Sequence, residues 1–135
     1  MISLLYVSRA TFRNGGENRQ LTDIMTVARE RNARLGVTGA LICMGGYFAQ
    51  ILEGDDPAVN QLMVDILRDR RHADIRIIEV VAIERPRFSS WGLALVPASP
   101  GPRSYIEILI GSEADPETGA AAAALRDYMI RFADG

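Results

Sequence analysis

Tyr47-Phe48-Ala49-Gln50-Ile51-Leu52-Glu53-Gly54 is the stretch on which the fold turns. It follows Gly45-Gly46, a hairpin signal. It precedes Asp55-Asp56-Pro57, which opens a helix with an acidic residue near the cap and proline in the first turn. Tyr47–Glu53 between these signals is predicted to form the returning strand. Period-2 alternation then puts Phe48, Gln50 and Leu52 on one face. Two large apolar neighbours predict that this face is buried. Gln50 is therefore expected to be a buried amide with up to four hydrogen bonds to satisfy, at a cost of about 1–3 kcal/mol if left unpaired.

Outward from this strand, Val37–Met44 is an apolar run of strand length, the first arm of the hairpin. Before it, apolar residues fall at Leu21, Ile24, Met25, Ala28 and Leu35. That spacing predicts a helix over Thr22–Leu35, with Gly36 as its stop. Phe12–Glu17 contains Asn14-Gly15-Gly16, a turn signal. Ile2–Ser8 is short, apolar and β-prone, with Leu4 and Tyr6 on one side and Leu5 and Val7 on the other. After the hairpin, Val59, Leu62, Met63, Ile66 and Leu67 form the apolar stripe of a second helix. Asp74–Ile83 and Phe88–Val96 are predicted strands, separated by the Arg85-Pro86 break. The last would carry Trp91, Leu93 and Leu95 on one face and Gly92, Ala94 and Val96 on the other.

The resulting order is β-α-β-β-α-β-β. It predicts an α+β, ferredoxin-like fold: a five-stranded mixed sheet with two helices on one face. Strands apolar on both sides need a second cover. Leu125, Tyr128, Met129 and Phe132, a helical stripe after Ala120–Ala124, would supply a C-terminal helical cover. Pro97–Pro102 reads as a turn-rich linker, and Tyr105–Ile110 is apolar but too short to classify. The expected organisation is a sheet-and-helix unit over residues 1–96 and a linker with helical extension over 97–135.

With 135 residues the chain fits one domain with a real core. A net charge of −2 argues against a general nucleic-acid binder, which needs a basic face. The single cysteine, Cys43, cannot form an internal disulfide and reads as a small buried hydrophobe. The N-terminus has no signal-peptide pattern, and no stretch is long enough to span a membrane, so a cytoplasmic location is expected. No metal site is expected: His72 is the only histidine, and no Cys/His spacing suits zinc. There is no phosphate-cradling glycine loop. Glu53, Asp55 and Asp56 read as a cap and a solvated edge. The run Arg68–His72 is short and partly neutralised by Asp69. Tyr6 and Asn32 raise the same question as Gln50, each a polar group on an apolar face. A backbone partner for each is one answer. Three such groups aimed at one helix–sheet interface make a polar ligand the more attractive one, and periodicity does not identify it.

Five motifs carry a resemblance. They are Leu5-Tyr6-Val7-Ser8, Arg31-Asn32-Ala33-Arg34-Leu35-Gly36-Val37-Thr38-Gly39, Phe48-Ala49-Gln50-Ile51-Leu52-Glu53-Gly54, Asp69-Arg70-Arg71-His72 and Arg87-Phe88-Ser89-Ser90-Trp91. In this order and at these spacings the chain resembles the BLUF family of blue-light sensors over residues 1 to about 96. The resemblance implies FAD, or FMN, held non-covalently between the two helices, with Ile24 and Ile66 flanking the ring. It implies that Asn32 bonds the flavin's polar edge, that Tyr6 donates an electron and a proton to the excited flavin, and that Gln50 links Tyr6 to the flavin. Asp69 and His72 fall in a cofactor-binding motif. Light would rearrange the Gln50 amide, and the signal would leave through Trp91 and position 93. Here Leu93 stands where the family usually has methionine, keeping bulk but losing the polarizable thioether. Asp65 stands where an arginine often meets the cofactor phosphate, and Arg31 is the neighbouring cation that would compensate. Arg70 replaces a common proline.

No catalytic residue is expected. The resemblance implies a photoreceptor that signals through an unidentified downstream protein or a change in self-assembly, and a homo-oligomer is expected. Nucleic-acid and membrane partners are not. Two other readings share the fold: a small acylphosphatase-like hydrolase and a flavin-free interaction module. The first lacks an Arg-bearing phosphate loop between strand 1 and helix 1.

Overall fold

The computed structural model describes residues 1–11, 17–44, 46–88, 93–96, 100–111 and 116–133. The elements are β1 (Ile2–Ala10), α1 (Glu17–Leu35), β2 (Thr38–Met44), β3 (Tyr47–Gly54), α2 (Asp56–Arg68), β4 (His72–Ala82), β5 (Ala94–Leu95), α3 (Pro100–Gly111) and α4 (Pro116–Phe132). The sheet order is β4-β1-β3-β2-β5. β1 pairs antiparallel with β3 and β4, β2 antiparallel with β3, and β2 parallel with β5. This is the expected α+β, ferredoxin-like mixed sheet of five strands.

Alternation sorts the strand side chains as expected. Leu4, Tyr6 and Leu52 pack with Val59, Leu62, Met63 and Ile66 of α2. Leu41 and Phe48 pack with Ile24, Met25 and Ala28 of α1. On the opposite face Leu5, Val7, Ala49 and Ile51 pack with Ile106 and Leu109 of α3 and Leu125 and Met129 of α4. The C-terminal helices are thus the second cover that a two-sided apolar sheet requires. Two polar clamps from β4 hold them. Arg76 Nη1 donates to the carbonyls of Leu109 (3.3 Å) and Ile110 (3.0 Å) at the end of α3. Arg126 Nη1 of α4 donates to Glu79 Oε1 and Oε2 at 3.1 and 3.0 Å.

Two glycines are required where they stand. Gly36, at φ +70°, ends α1 in the left-handed region. At Gly39, where β2 crosses β3, a Cβ would lie 2.1 Å from the Ile51 carbonyl oxygen.

Several expectations need correction. α1 begins at Glu17, not Thr22, so the expected turn over Phe12–Glu17 loses its last residue to the helix. Residues 12–16 lie outside the described residues. β4 runs from His72 to Ala82, not Asp74 to Ile83. Leu67 is 58% exposed and does not join the buried stripe of α2. Tyr105–Ile110 belongs to α3, and the linker read over Pro97–Pro102 turns helical from Pro100. Phe88 is a bend rather than a strand residue, and among the described residues of the expected strand Ala94 and Leu95 pair in β5. Phe132 is 44% exposed despite the helical stripe. Glu53 is not a solvated edge: it is wholly buried and takes Arg87 N–H at 2.6 Å and Arg87 Nε–H at 2.9 Å. Propensity and periodicity report local preference, whereas partners distant in sequence decide these points.

Candidate functional site

The β1–β3 register places Tyr6 directly opposite Gln50, and the β2–β3 register places Leu41 on its other side. Opposite residues of an antiparallel pair share a face. Tyr6 and Gln50 therefore lie side by side on the sheet, under α1 and α2. Both are buried. The Tyr6 hydroxyl donates a short hydrogen bond to Gln50 Oε1. Burial pushes the Tyr6 phenol well above its ordinary value, with the Arg31 charge pulling it back and the Asp69 charge adding to the rise. Tyr6 thus keeps its proton and acts as a donor.

A narrow cleft open to solvent lies above this pair. Ile24 and Arg31 of α1, Ile66 of α2, and Asp69 and His72 beyond α2 line it together with Tyr6 and Gln50. Seven of the eight residues assigned to the cofactor thus border one cleft. The eighth, Asn32, is fully buried within α1. Four further lining residues are Val27, Ala28, Leu41 and Arg71. Three of the four were legible in principle. Val27 and Ala28 follow Ile24 by three and four residues, the helical neighbours of one face, and Arg71 sits inside the Asp69–His72 motif. Leu41 becomes visible only through the strand register.

The charged rim is specific. Arg71 clasps Asp69 through its backbone N–H (2.9 Å), Nε (3.0 and 3.2 Å) and Nη2 (2.7 Å). Burial pushes the Asp69 carboxyl up, but the Arg71 hydrogen bonds and charge outweigh it and hold it below the usual carboxylate value. His72 leans on Phe48, with ring centroids 4.6 Å apart, and its Nδ1 lies 3.0 Å from Ser8 Oγ. Burial lowers the His72 pKa to about 4, so the imidazole is neutral near pH 7. Arg31 Nε is buried with no hydrogen-bond partner among the described residues.

Leu93 is fully buried among Ile24, Ala28, Leu41 and Phe48, on the cleft side of the sheet, and Arg29 Nε donates to its carbonyl at 3.1 Å. Ala94 and Val96 point to the opposite core. Leu95, expected to share the face of Leu93, is 38% exposed. Trp91 lies outside the described residues. Among the described residues no group of acidic, His or Cys side chains could hold a metal ion.

These features fit a planar, polar-edged ligand such as a flavin. Ile24 and Ile66 offer apolar walls from two helices, Tyr6 and Gln50 a hydrogen-bonding floor, and Arg31 a buried donor still to be satisfied.

Residues 1–94 match the family described as sensors of blue light using FAD. The chain is 36% identical over 94 residues to a photoactivated adenylate cyclase subunit beta of Euglena longa, covering 69% of this chain and 11% of that protein. It is 30% identical over 97 residues to the blue light- and temperature-regulated antirepressor BluF of Escherichia coli (strain K12), covering 70% and 23% respectively. The chain therefore spans about a tenth of the cyclase relative and under a quarter of the antirepressor. The dark-state structure of BlrB, a BLUF protein, superposes with a TM-score of 0.75 at 30% identity, over 96% of this chain and 95% of that one. The BlsA ground state shares the fold with a TM-score of 0.77 at 24% identity, over 96% and 87%. The chain belongs to the family of sensors of blue light using FAD.

Proposed function

We propose that this chain is a blue-light receptor that binds a flavin, FAD or FMN, without a covalent bond. The observation that carries the reading is the Tyr6–Gln50 hydrogen bond at the floor of a cleft between two helices. When bound, the flavin supplies the blue-light absorber and the electron acceptor. Tyr6 holds a proton on its phenol oxygen and, on excitation, would give up an electron and that proton; both would return to Tyr6 as the Gln50 amide rearranges, so that the flavin is oxidised again in the shifted state. Gln50 takes the Tyr6 hydrogen bond on Oε1, so its amide nitrogen is the end left to donate elsewhere. Rotation or tautomerisation of the amide exchanges donor and acceptor without moving the backbone. Ile24 and Ile66 sandwich the ring and exclude water, Asn32 fixes its polar edge, and His72 and Asp69 border the same cleft.

The output is proposed to pass through Trp91 and Leu93. Leu93 stands against Phe48 and Leu41, the latter the cross-strand neighbour of Gln50, while its successor Ala94 reaches the core under α3 and α4. A repacking on the cleft side is thereby felt on the tail side. Some relatives carry cyclase or antirepressor in their names; for this chain the proposal is a separate downstream protein, with self-association, in the cytoplasm. The chain acts as a sensor and not as a catalyst.

The spectrum of the purified protein tests this. A yellow protein whose flavin band moves reversibly to longer wavelength under blue light is expected. A colourless protein that cannot be reconstituted with flavin overturns the reading. Gln50→Leu is expected to stay yellow and lose the shift, and an undiminished shift in that variant refutes the role given to Gln50.

A further inference from the structure

Exposed apolar surface is concentrated on one side of the molecule. Among the described residues nine large apolar side chains are exposed, and six of them, Met1, Val64, Leu67, Ile77, Val80 and Val81, belong to β4 or to segments beside it. β4 is one edge of the sheet. It pairs with β1, and among the described residues no strand lies along its other side. Ile77 and Val80 stand opposite Tyr6 and Leu4, which puts both on the face that α2 covers. Leu67 belongs to the same strip: Ile66 and Asp69 border the cleft on one flank of α2, and Leu67 lies on the other. Edge strands are ordinarily guarded by lysine, proline, charges or bulges. Register shifts do interrupt the edge before Arg76 and at Ile78, but the ladder from Glu79 to Ala82 is regular. Between Ile77 and Ala82 the one charge is Glu79, which Arg126 holds against the opposite face.

The two ends of this strip carry opposite charge. β3 and β4 both run antiparallel to β1, so α2, which joins them, runs back along β4 for its 13 residues, about 20 Å. Arg68 and Arg70 are exposed at the end where β4 begins, and Asp55, Asp56 and Glu84 at the end where it finishes. Arg85 offsets one acid at the second end, and Asp74 at the first is paired with Arg9 at 3.1 Å. We propose that the β4 edge binds a second copy of this chain, β4 against β4, so that two sheets join across a two-fold axis near Val80. Antiparallel pairing lays one β-branched strip beside the other and brings a basic end against an acidic end twice. A foreign strand needs only the apolar strip; the reversed ends are what single out a second copy. The two α2 helices then flank the seam and cover Leu67, while the cleft, on the far flank of α2, stays open. This gives a surface to the self-association in the functional reading above, and rests on it, but it does not require the flavin.

The test is the mass of the full chain in solution, by sedimentation velocity. The parent is expected to be dimeric at about 100 µM and to dissociate on dilution. Ile77→Lys combined with Val80→Lys should weaken association about tenfold or more. Both side chains are half-exposed, so circular dichroism should match the parent. Phe132→Lys, at an exposed apolar position remote from β4, should leave the dimer intact. Two charge variants test the orientation. Arg68→Glu with Arg70→Glu makes both ends acidic, and Asp55→Lys with Glu84→Lys makes both ends basic. Neither should dimerise alone, and the two mixed should form a heterodimer. A parent that stays monomeric at about 100 µM overturns the proposal and leaves this edge to the strand of another protein. So does a dimer that survives lysine at both 77 and 80, or a pair of charge variants that fails to associate on mixing. A protein that takes up no flavin overturns the flavin reading instead, and the mass still decides this one.

Discussion

Tyr6 and Gln50 are strongly constrained because each is a polar group whose burial is tolerable only with a partner, and strand register supplies the partner. The need of Gln50 was readable from Phe48 and Leu52. Its pairing with Tyr6, 44 residues away, was not, because period-2 alternation fixes a face but not a neighbour. His72 shows what burial does to a titrating group. Burial takes its folded-state pKa from 6.5 to about 4. Between these values the unfolded chain binds a proton that the folded chain refuses. Stability is therefore full above pH 6.5 and declines as the pH falls through this window, by up to about 3 kcal/mol. Asp69 works in the same direction lower down. Its folded value lies below 3.8, so its contribution is present above that pH and is lost on further acidification. Urea midpoints of the flavin-loaded protein at pH 7.5 and 5.0 should differ in the parent and differ much less in His72→Gln. Equal pH dependence in the two proteins would exclude His72 as the source.

At the level of elements, those with strong patterns were legible: β1, the hairpin, α2 and the alternation of Leu4 and Tyr6 against Leu5 and Val7. The short β5 and the helical Pro100–Gly111 were not. A two-residue strand is defined by its ladder to β2, and α3 gains its helix from burial of Ile106 and Leu109 against the sheet. Glu53 is the sharpest case. Three acidic residues near a strand-to-helix turn look like a solvated cap, yet Asp55 makes no side-chain cap bond and Glu53 turns inward. Besides Arg87, its Oε1 accepts the Phe88 N–H at 3.2 Å, and Arg87 Nη2 also reaches Ser3 Oγ. Glu53 thus ties the β4–β5 connection to the centre of the sheet. Removing one member of a buried ion pair costs about 3–5 kcal/mol. The Arg87 side chain keeps 28% exposure, so the lower end, about 3 kcal/mol, is expected for Glu53→Gln. Chemical unfolding of the flavin-loaded protein measures it. A loss below about 1 kcal/mol, the worth of a surface pair, would mean that the network contributes little.

For the whole molecule, one sheet joins two cores, the cleft core under α1 and α2 and the tail core under α3 and α4. Leu125 is fully buried in the second, remote from Gln50. Leu125→Ala should cost about 2–5 kcal/mol through lost burial and a cavity. Because the strands are shared, flavin release and loss of helical circular dichroism should coincide in one transition. Flavin release that keeps its parental midpoint while the helical signal melts early would show instead that the tail unfolds separately. The sequence by itself determined the α+β order, the two-sided sheet, the buried amide at 50 and, through motif resemblance, the family. All of these rest on local periodicity, turn chemistry or residue spacing. Only the tertiary structure decided that Tyr6 meets Gln50, that Arg71 occupies Asp69 while Arg31 Nε finds no hydrogen-bond partner among the described residues, and that Glu53 is a buried anchor. Each depends on which strands lie side by side and in what register, a choice made by the global burial of apolar surface rather than by any single stretch of chain.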